Sequence, residues 1–163
     1  MKRTLSLVLV FSLLWTPLAA AAVRGKTARY VGGTIPAFKA SVNGTWEIAE
    51  EAIVFTAEKD GGKVRIPFDK IETLEYGQKV GRRLGAATAG ALIVSPVFLL
   101  FLFSKKRKHF LSISYLDEEG KKQGAVFELA KGIVKQSLTT LESKSGKKVE
   151  YESDEARKHA EKM

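Results

Sequence analysis

Side chains able to do acid–base, nucleophilic or metal chemistry are scarce in this chain. None of its 163 residues is cysteine, and only His109 and His159 are histidines. Without a thiol there is no disulfide, no cysteine nucleophile and no cysteine-ligated metal, and two separate histidines do not make a histidine-rich zinc site. A Ser-His-Asp triad would have to use His109, but this residue follows directly on a basic run, where a neutral general base is poorly supported. We therefore predict that His109 is a surface or interfacial ring.

The glycines do not form a phosphate-binding loop either. The stretch 81–90 lacks the Lys-Ser/Thr pair that a P-loop needs, and Gly32-Gly33 is typical of a turn or bulge. The carboxylates are scattered or lie beside lysines in loops. These absences predict a protein that works by binding, with no catalytic site, metal or cofactor, and an enzyme is the least favoured class.

The basic residues are concentrated in one part of the sequence. The chain has 27 Lys and Arg against 18 Asp and Glu, a net charge of +9. No acidic residue lies between Tyr76 and Leu116, and this stretch carries all the net charge that remains once residues 1–22 are set aside. Its basic residues form two groups, the first of Lys79, Arg82 and Arg83 and the second of Lys105, Lys106, Arg107 and Lys108.

An uncharged segment, residues 84–103, separates the two basic groups. Twenty residues are enough for one transmembrane helix. Anionic headgroups attract each flanking Lys or Arg by about 1 kcal/mol, so the segment predicts attachment to a membrane and the seven basic residues predict headgroup contact. The predicted inserting residues are Leu92, Ile93, Val97, Phe98, Leu99, Leu100, Phe101, Leu102 and Phe103.

Three interpretations of this segment remain open. It is a hairpin that dips into one leaflet and turns near Ser95-Pro96, in which case residues 84–94 reach about 16 Å as a helix, roughly half of a bilayer core. Alternatively it crosses the membrane once, with the second basic group inside, and then the strands on its two sides cannot pair. In the third interpretation it is buried in a soluble protein. The segment has no polar face, which argues against this interpretation.

The expected partner is membrane lipid with anionic headgroups, together with a protein partner or a second copy. Gly81, Gly85 and Ala89 have the four-residue spacing that lets helices pack closely in lipid. Nucleic acid is not expected, because Phe98, Phe101 and Phe103 belong to an aliphatic run and are not spaced as a stacking platform.

Both ends of the chain differ from its middle. Residues 1–22 are typical of an export signal, with Lys2 and Arg3 before an apolar run and a small-residue site before Val23. This predicts a periplasmic or cell-envelope protein, and an uncleaved anchor helix is the alternative. Residues 152–163 are highly charged; a short helix can begin at Ser153, but we expect nothing there to pack on a core and predict a frayed, solvated tail.

Between these ends, in residues 23–151, apolar side chains recur with a period near two. This pattern predicts short antiparallel strands at 46–48, 53–56, 64–68, 111–115 and 125–129, an irregular one at 70–76, and turns at 43–44, 60–62 and 117–120. After Leu129 the period becomes helical, and Gly146 is placed to end that helix. The predicted fold class is mainly β, with antiparallel strands capped by an amphipathic C-terminal helix and an apolar insertion between strands.

Three short runs carry a resemblance to a known fold. Gly44-Thr45-Trp46-Glu47-Ile48, Ile53-Val54-Phe55 and Ile66-Pro67-Phe68-Asp69-Lys70-Ile71, followed by the hairpin 109–129 and the helix 131–143, resemble pleckstrin-homology-like (PH-like), GRAM-like small bacterial domains. Residues 74–83 and 105–111 resemble a group of exported bacterial proteins of unassigned function. The resemblance implies a PH-like domain over 23–151, interrupted by 84–103, and no activity.

Taken together, the sequence predicts an exported, membrane-associated binding or scaffold module of unknown ligand. The alternative is a small integral membrane subunit in which residues 84–103 form one transmembrane helix and assemble with partners.

Overall fold

The computed structural model describes residues 23–78 and 108–163. In these residues one mixed sheet has the strand order β4-β3-β2-β1-β7-β6-β5-β8, in which only β5 and β8 are parallel. Its strands are β1 (Val23–Gly33), β2 (Val42–Ile48), β3 (Ala52–Ala57), β4 (Lys63–Pro67), β5 (Ile71–Gly77), β6 (Phe110–Leu116), β7 (Lys122–Leu129) and β8 (Val149–Tyr151). The helices are α1 (Val134–Ser145) and α2 (Asp154–Glu161), with 3₁₀ turns at Phe68–Lys70 and Lys131–Ile133.

The predicted fold class is confirmed: the described chain is mainly β with a C-terminal helix. Strands β1 to β4 form one antiparallel meander and β5 to β7 a second, and the pairing of β1 with β7 joins them. The irregular start predicted for the strand near Lys70 is a 3₁₀ turn followed by a register shift between Ile71 and Thr73. Gly146 ends α1 in the left-handed conformation, with φ of 68°.

Aromatic rings from four strands meet in the core. The ring of Phe127 on β7 lies 5.0 Å from Trp46, 5.3 Å from Phe55 and 5.7 Å from Tyr30, measured between ring centroids. The apolar face of α1 packs on the same core through Val134, Leu138 and Leu141, all buried. The sheet and α1 therefore hide each other's apolar surface, which neither can do alone.

Strand β1 is absent from the sequence prediction, because Gly32-Gly33 obscures its alternation. The pair forms a bulge, with a register shift against β7 between Tyr30 and Gly32. Gly33 has a φ of 146°, and a Cβ there would lie 2.1 Å from the carbonyl oxygen of Gly124. Only glycine fits this close approach of the two backbones.

The predicted turn at Asn43-Gly44 is wrong, since both residues lie inside β2. A Cβ on Gly44 would lie 2.5 Å from the Phe55 ring and 2.3 Å from the carbonyl oxygen of Thr56. The glycine therefore serves close packing of the Phe55 ring on the neighbouring strand, and the chain does not turn here.

The prediction that nothing after Tyr151 packs on the core is also wrong. Ser153 caps α2, its side-chain oxygen accepting a hydrogen bond from the backbone nitrogen of Ala156. Ala156 and Ala160 are both 2% exposed and belong to the core cluster. Alanine is small enough to bring one helix face against the sheet although most of the other residues of the helix are Asp, Glu, Arg or Lys.

The export signal, the apolar segment 84–103 and six of the seven basic residues around it lie outside the described residues. The predictions made for them therefore stay predictions.

Replacement of the central ring, Phe127→Ala, should lower the free energy of unfolding by about 3–5 kcal/mol, because it leaves a cavity among three other rings. Urea unfolding followed by tryptophan fluorescence measures this loss. Lys147→Ala, at an exposed position, should stay within about 0.5 kcal/mol of the parent. A Phe127→Ala loss as small as the control's would contradict the central place of this ring.

Removal of the α2 cap, Ser153→Ala, should cost about 1 kcal/mol of stability, whereas Ser153→Asp should retain the parent value because aspartate also accepts at this position. Thermal unfolding of the three proteins side by side measures the difference. Equal stability of all three would show that α2 does not contribute to the folded core.

Candidate functional site

The candidate site lies at the ends of β5 and β6 that flank residues 79–107 in the sequence. Strand β5 ends at Gly77, and its antiparallel partner at this position is Phe110, the first residue of β6. The backbone nitrogen of Lys108 lies 3.5 Å from the carbonyl oxygen of Gln78. We call this group, Tyr76, Gln78, Lys108 and His109, the insertion base.

Strand β8 and the residue after it border the insertion base on the side of β5. Tyr151 is the parallel partner of Tyr76, and the two rings meet edge to face at 5.9 Å. Glu152 donates its backbone N–H to the carbonyl of Tyr76 at 2.9 Å, and its carboxylate accepts from the backbone nitrogen of Gln78 at 3.0 Å. The end of β5 therefore has hydrogen-bonded neighbours on both sides, β6 on one and β8 with Glu152 on the other.

A buried hydrogen bond joins the two strands of the insertion base. The hydroxyl of Tyr76 lies 2.7 Å from Nδ1 of His109, and the two rings are stacked at 6.3 Å. Tyr76 is 1% exposed and His109 9%. Burial raises the pKa of Tyr76, so the phenol keeps its proton, and it donates to Nδ1 in the tautomer that carries the imidazole hydrogen on Nε2.

His159 of α2 lies against the same pair. Its ring centroid is 5.5 Å from that of His109, and its Nδ1 is buried without a hydrogen-bond partner among the described residues. Burial lowers the pKa of His109, and the neighbouring charges of His159 and Lys131 lower it further, while Glu128 acts in the opposite direction. The expectation that His109 is a surface or interfacial ring is therefore wrong, because this side chain is buried between two strands and α2.

Lys108 is the one predicted headgroup residue that lies within the described chain. Its Nζ is 2.9 Å from the carboxylate of Glu128 on β7, and the two side chains are 26% and 22% exposed. This ion pair compensates the lysine charge at the insertion base. Contact of Lys108 with a headgroup stays a prediction.

Other chemistry is limited in the part of the chain that the structure describes. No three His, Asp or Glu side chains within residues 23–78 and 108–163 are arranged to hold a metal ion. Neither helix of this part is long and apolar enough to cross a membrane. The insertion base offers a pair of buried rings, a partly buried ion pair and two adjoining strand ends.

Sequence reasoning missed Tyr76, Glu152 and His159 as members of this site. The signal for His159 was present, because Ala156, His159 and Ala160 fall on one face of a helix at the spacing of a buried stripe. The high charge of the other α2 residues concealed it. For Glu152 no local signal exists, since its partners lie on a strand more than 70 residues earlier in the chain.

Acid should destabilise the folded protein through His109. Its pKa is lowered in the folded state, while in the unfolded chain an imidazole titrates near pH 6.5. As the pH falls below about 6.5, the unfolded chain binds this proton before the folded protein does. The free energy of unfolding therefore falls from about pH 6.5 down to the lowered pKa of the folded state. Above about pH 6.5 the contribution of His109 is constant. Urea titrations between pH 8 and 4.5 should show a shallower fall for His109→Gln, and an identical slope would contradict the assignment.

Comparison with known proteins assigns no family to this fold and site. No protein-family model matches the chain, and no curated protein matches it. Among solved structures, the hSac2 domain from the human phosphoinositide phosphatase Sac2 is similar to this chain with a TM-score of 0.41 and 11% sequence identity, over 93% of this chain and 88% of that one. At this TM-score the likeness identifies neither a fold family nor a ligand.

Proposed function

We propose that this chain is an exported PH-like binding module that docks on anionic membranes through residues 84–103 and the basic groups on either side. The sheet and α1 form its folded body, and the apolar segment attaches that body to the lipid. It binds and does not catalyse. The single observation that carries the proposal is the pairing of Gly77 with Phe110 at the insertion base.

This pairing bears on how residues 79–107 can meet a membrane. Paired antiparallel residues have Cα atoms about 5 Å apart, whereas one crossing of the hydrocarbon core separates the two ends of a segment by about 30 Å. A single crossing would therefore break the end of the β5–β6 ladder. The geometry favours entry and return on the same side of the bilayer over an integral subunit with one transmembrane helix.

The arrangement of the strands supports a PH-like assignment. Two antiparallel meanders share one sheet through the β1–β7 pair, and the C-terminal helix α1 covers the core with its apolar face. The step Ile66-Pro67-Phe68 leads from β4 into the 3₁₀ turn, as the resemblance implies.

Charge supports the choice of an anionic surface. In the described chain the basic residues only slightly exceed the acidic ones, so the excess lies beside the apolar segment and in the first residues. The proposed headgroup contacts are Lys79, Arg82, Arg83, Lys105, Lys106, Arg107 and Lys108, of which Lys108 also pairs with Glu128.

Flotation with vesicles tests the proposal. The parent chain should float with vesicles of phosphatidylglycerol and phosphatidylethanolamine, and the triple change Phe98→Asp, Leu99→Asp and Leu100→Asp should leave it in the soluble fraction with unchanged thermal unfolding. Lys105→Glu with Lys106→Glu should weaken binding by at least about tenfold, since each lysine contributes about 1 kcal/mol.

The matched control is Lys147→Glu with Lys148→Glu, which changes the net charge equally at exposed positions after α1 and should alter binding less than twofold. A parent chain that stays soluble with these vesicles contradicts the proposal, and so does equal weakening by the control. Protease cleavage on both sides of residues 84–103 from the same face of the vesicle distinguishes a hairpin from a single crossing.

A further inference from the structure

We propose that Tyr76, His109 and His159 form a proton-operated clasp, through which acidification releases α2 from the insertion base. The clasp consists of these three side chains, one each from β5, the start of β6 and α2. The inference concerns the folded body alone and does not rest on membrane binding.

The first part of the clasp is the hydrogen bond between Tyr76 and His109. The phenol is buried and needs an acceptor for its proton, and Nδ1 of His109 lies 2.7 Å away. A neutral imidazole with its hydrogen on Nε2 accepts this bond. When Nδ1 takes up a proton it becomes a donor, so the buried hydroxyl hydrogen loses its acceptor, and an unsatisfied buried donor is costly.

The second part is the contact between the two imidazoles. The rings of His109 and His159 are in contact, with centroids 5.5 Å apart and planes tilted by 38°. A proton on His109 meets repulsion from His159, and water screens this repulsion poorly in a partly buried place. The buried Nδ1 of His159 has no hydrogen-bond partner among the described residues, so no bond among them holds this edge of the ring when the contact with His109 loosens.

The surrounding charges do not cancel this repulsion. Against His109, Lys131 of the 3₁₀ turn adds positive charge, and the one carboxylate nearby, Glu128 of β7, is already paired with Lys108. From α1, Lys135 donates to the carbonyl oxygen of Glu161, so it brings a further positive charge to α2. Tyr151 of β8 lies under the guanidinium of Arg157. The charged residues of α2 itself are Asp154, Glu155, Arg157, Lys158 and Glu161.

Within the described residues α2 is otherwise attached by small buried side chains and exposed polar contacts, so loosening the clasp weakens its attachment. Its buried side chains are two alanines, Ala156 and Ala160, whose methyl groups bury little apolar area. The bond from Lys135 to Glu161 is exposed, and exposed charged contacts contribute little. The strand before it, β8, has three residues. Release of α2 would uncover Tyr76 and Tyr151 beside Gln78 and Lys108.

Amide hydrogen exchange on the full chain in zwitterionic detergent tests the clasp. After correction for intrinsic rates, the opening equilibrium of residues 154–161 should rise several-fold between pH 7.5 and pH 5.0, because the opened state binds a proton on His109 more readily than the folded state does. Amides of β2 and β3 should keep their protection, which separates local release from global unfolding.

Two variants make the test decisive. His109→Gln keeps a hydrogen-bonding group beside Tyr76 but takes up no proton in this range, so its α2 amides should show the same opening at both pH values; His109→Phe serves if the glutamine perturbs folding. Lys158→Gln removes a neighbouring exposed charge and should keep the parent's pH response. Equal opening of the parent at both pH values, or an unchanged response in both His109 variants, would overturn the clasp.

Discussion

The antiparallel ladder between β5 and β6, which runs to Gly77 and Phe110, is the constraint on which the rest of this structure depends. It joins two strands that are far apart in sequence, at a cost in chain entropy that grows only slowly with the number of residues between them, so a long insertion is tolerated here. Because β5 also pairs with β8, the same strand end carries the C-terminal elements. The ends of β5 and β6 are thus coupled to β8 and α2 through direct contacts.

The insertion base combines buried polar groups that depend on one another. Tyr76 and His109 need each other as hydrogen-bond partners, and Gln78 needs the carboxylate of Glu152 for its backbone N–H. Buried donors are costly when their partners are lost, so these bonds define one arrangement of the strand ends. The proposed membrane segment starts from this arrangement, and α2 rests against it through His159.

Most strands and α1 could be predicted because their signals are local. Ile66 and Phe68, or Leu111 and Ile113, alternate with polar residues, and Leu138 and Leu141 repeat at helical spacing, so each element shows its buried face in its own sequence. β1 could not be predicted in this way, because its glycine pair interrupts the alternation of buried and exposed residues at a bulge. Gly44 was interpreted as a turn because a glycine required by a ring on the neighbouring strand looks the same in sequence as one required by a turn.

The sequence by itself determined the fold class, the placement of the net charge around one apolar segment and the scarcity of catalytic side chains, because composition and periodicity are properties of neighbouring residues. Only the tertiary structure decided that His109 is buried, that His159 meets it and that α2 packs on the core. Tyr76 and His109 are 33 positions apart in the chain, and His159 lies still farther along it from both. No pattern within a short window of sequence reports a contact that long-range strand pairing creates.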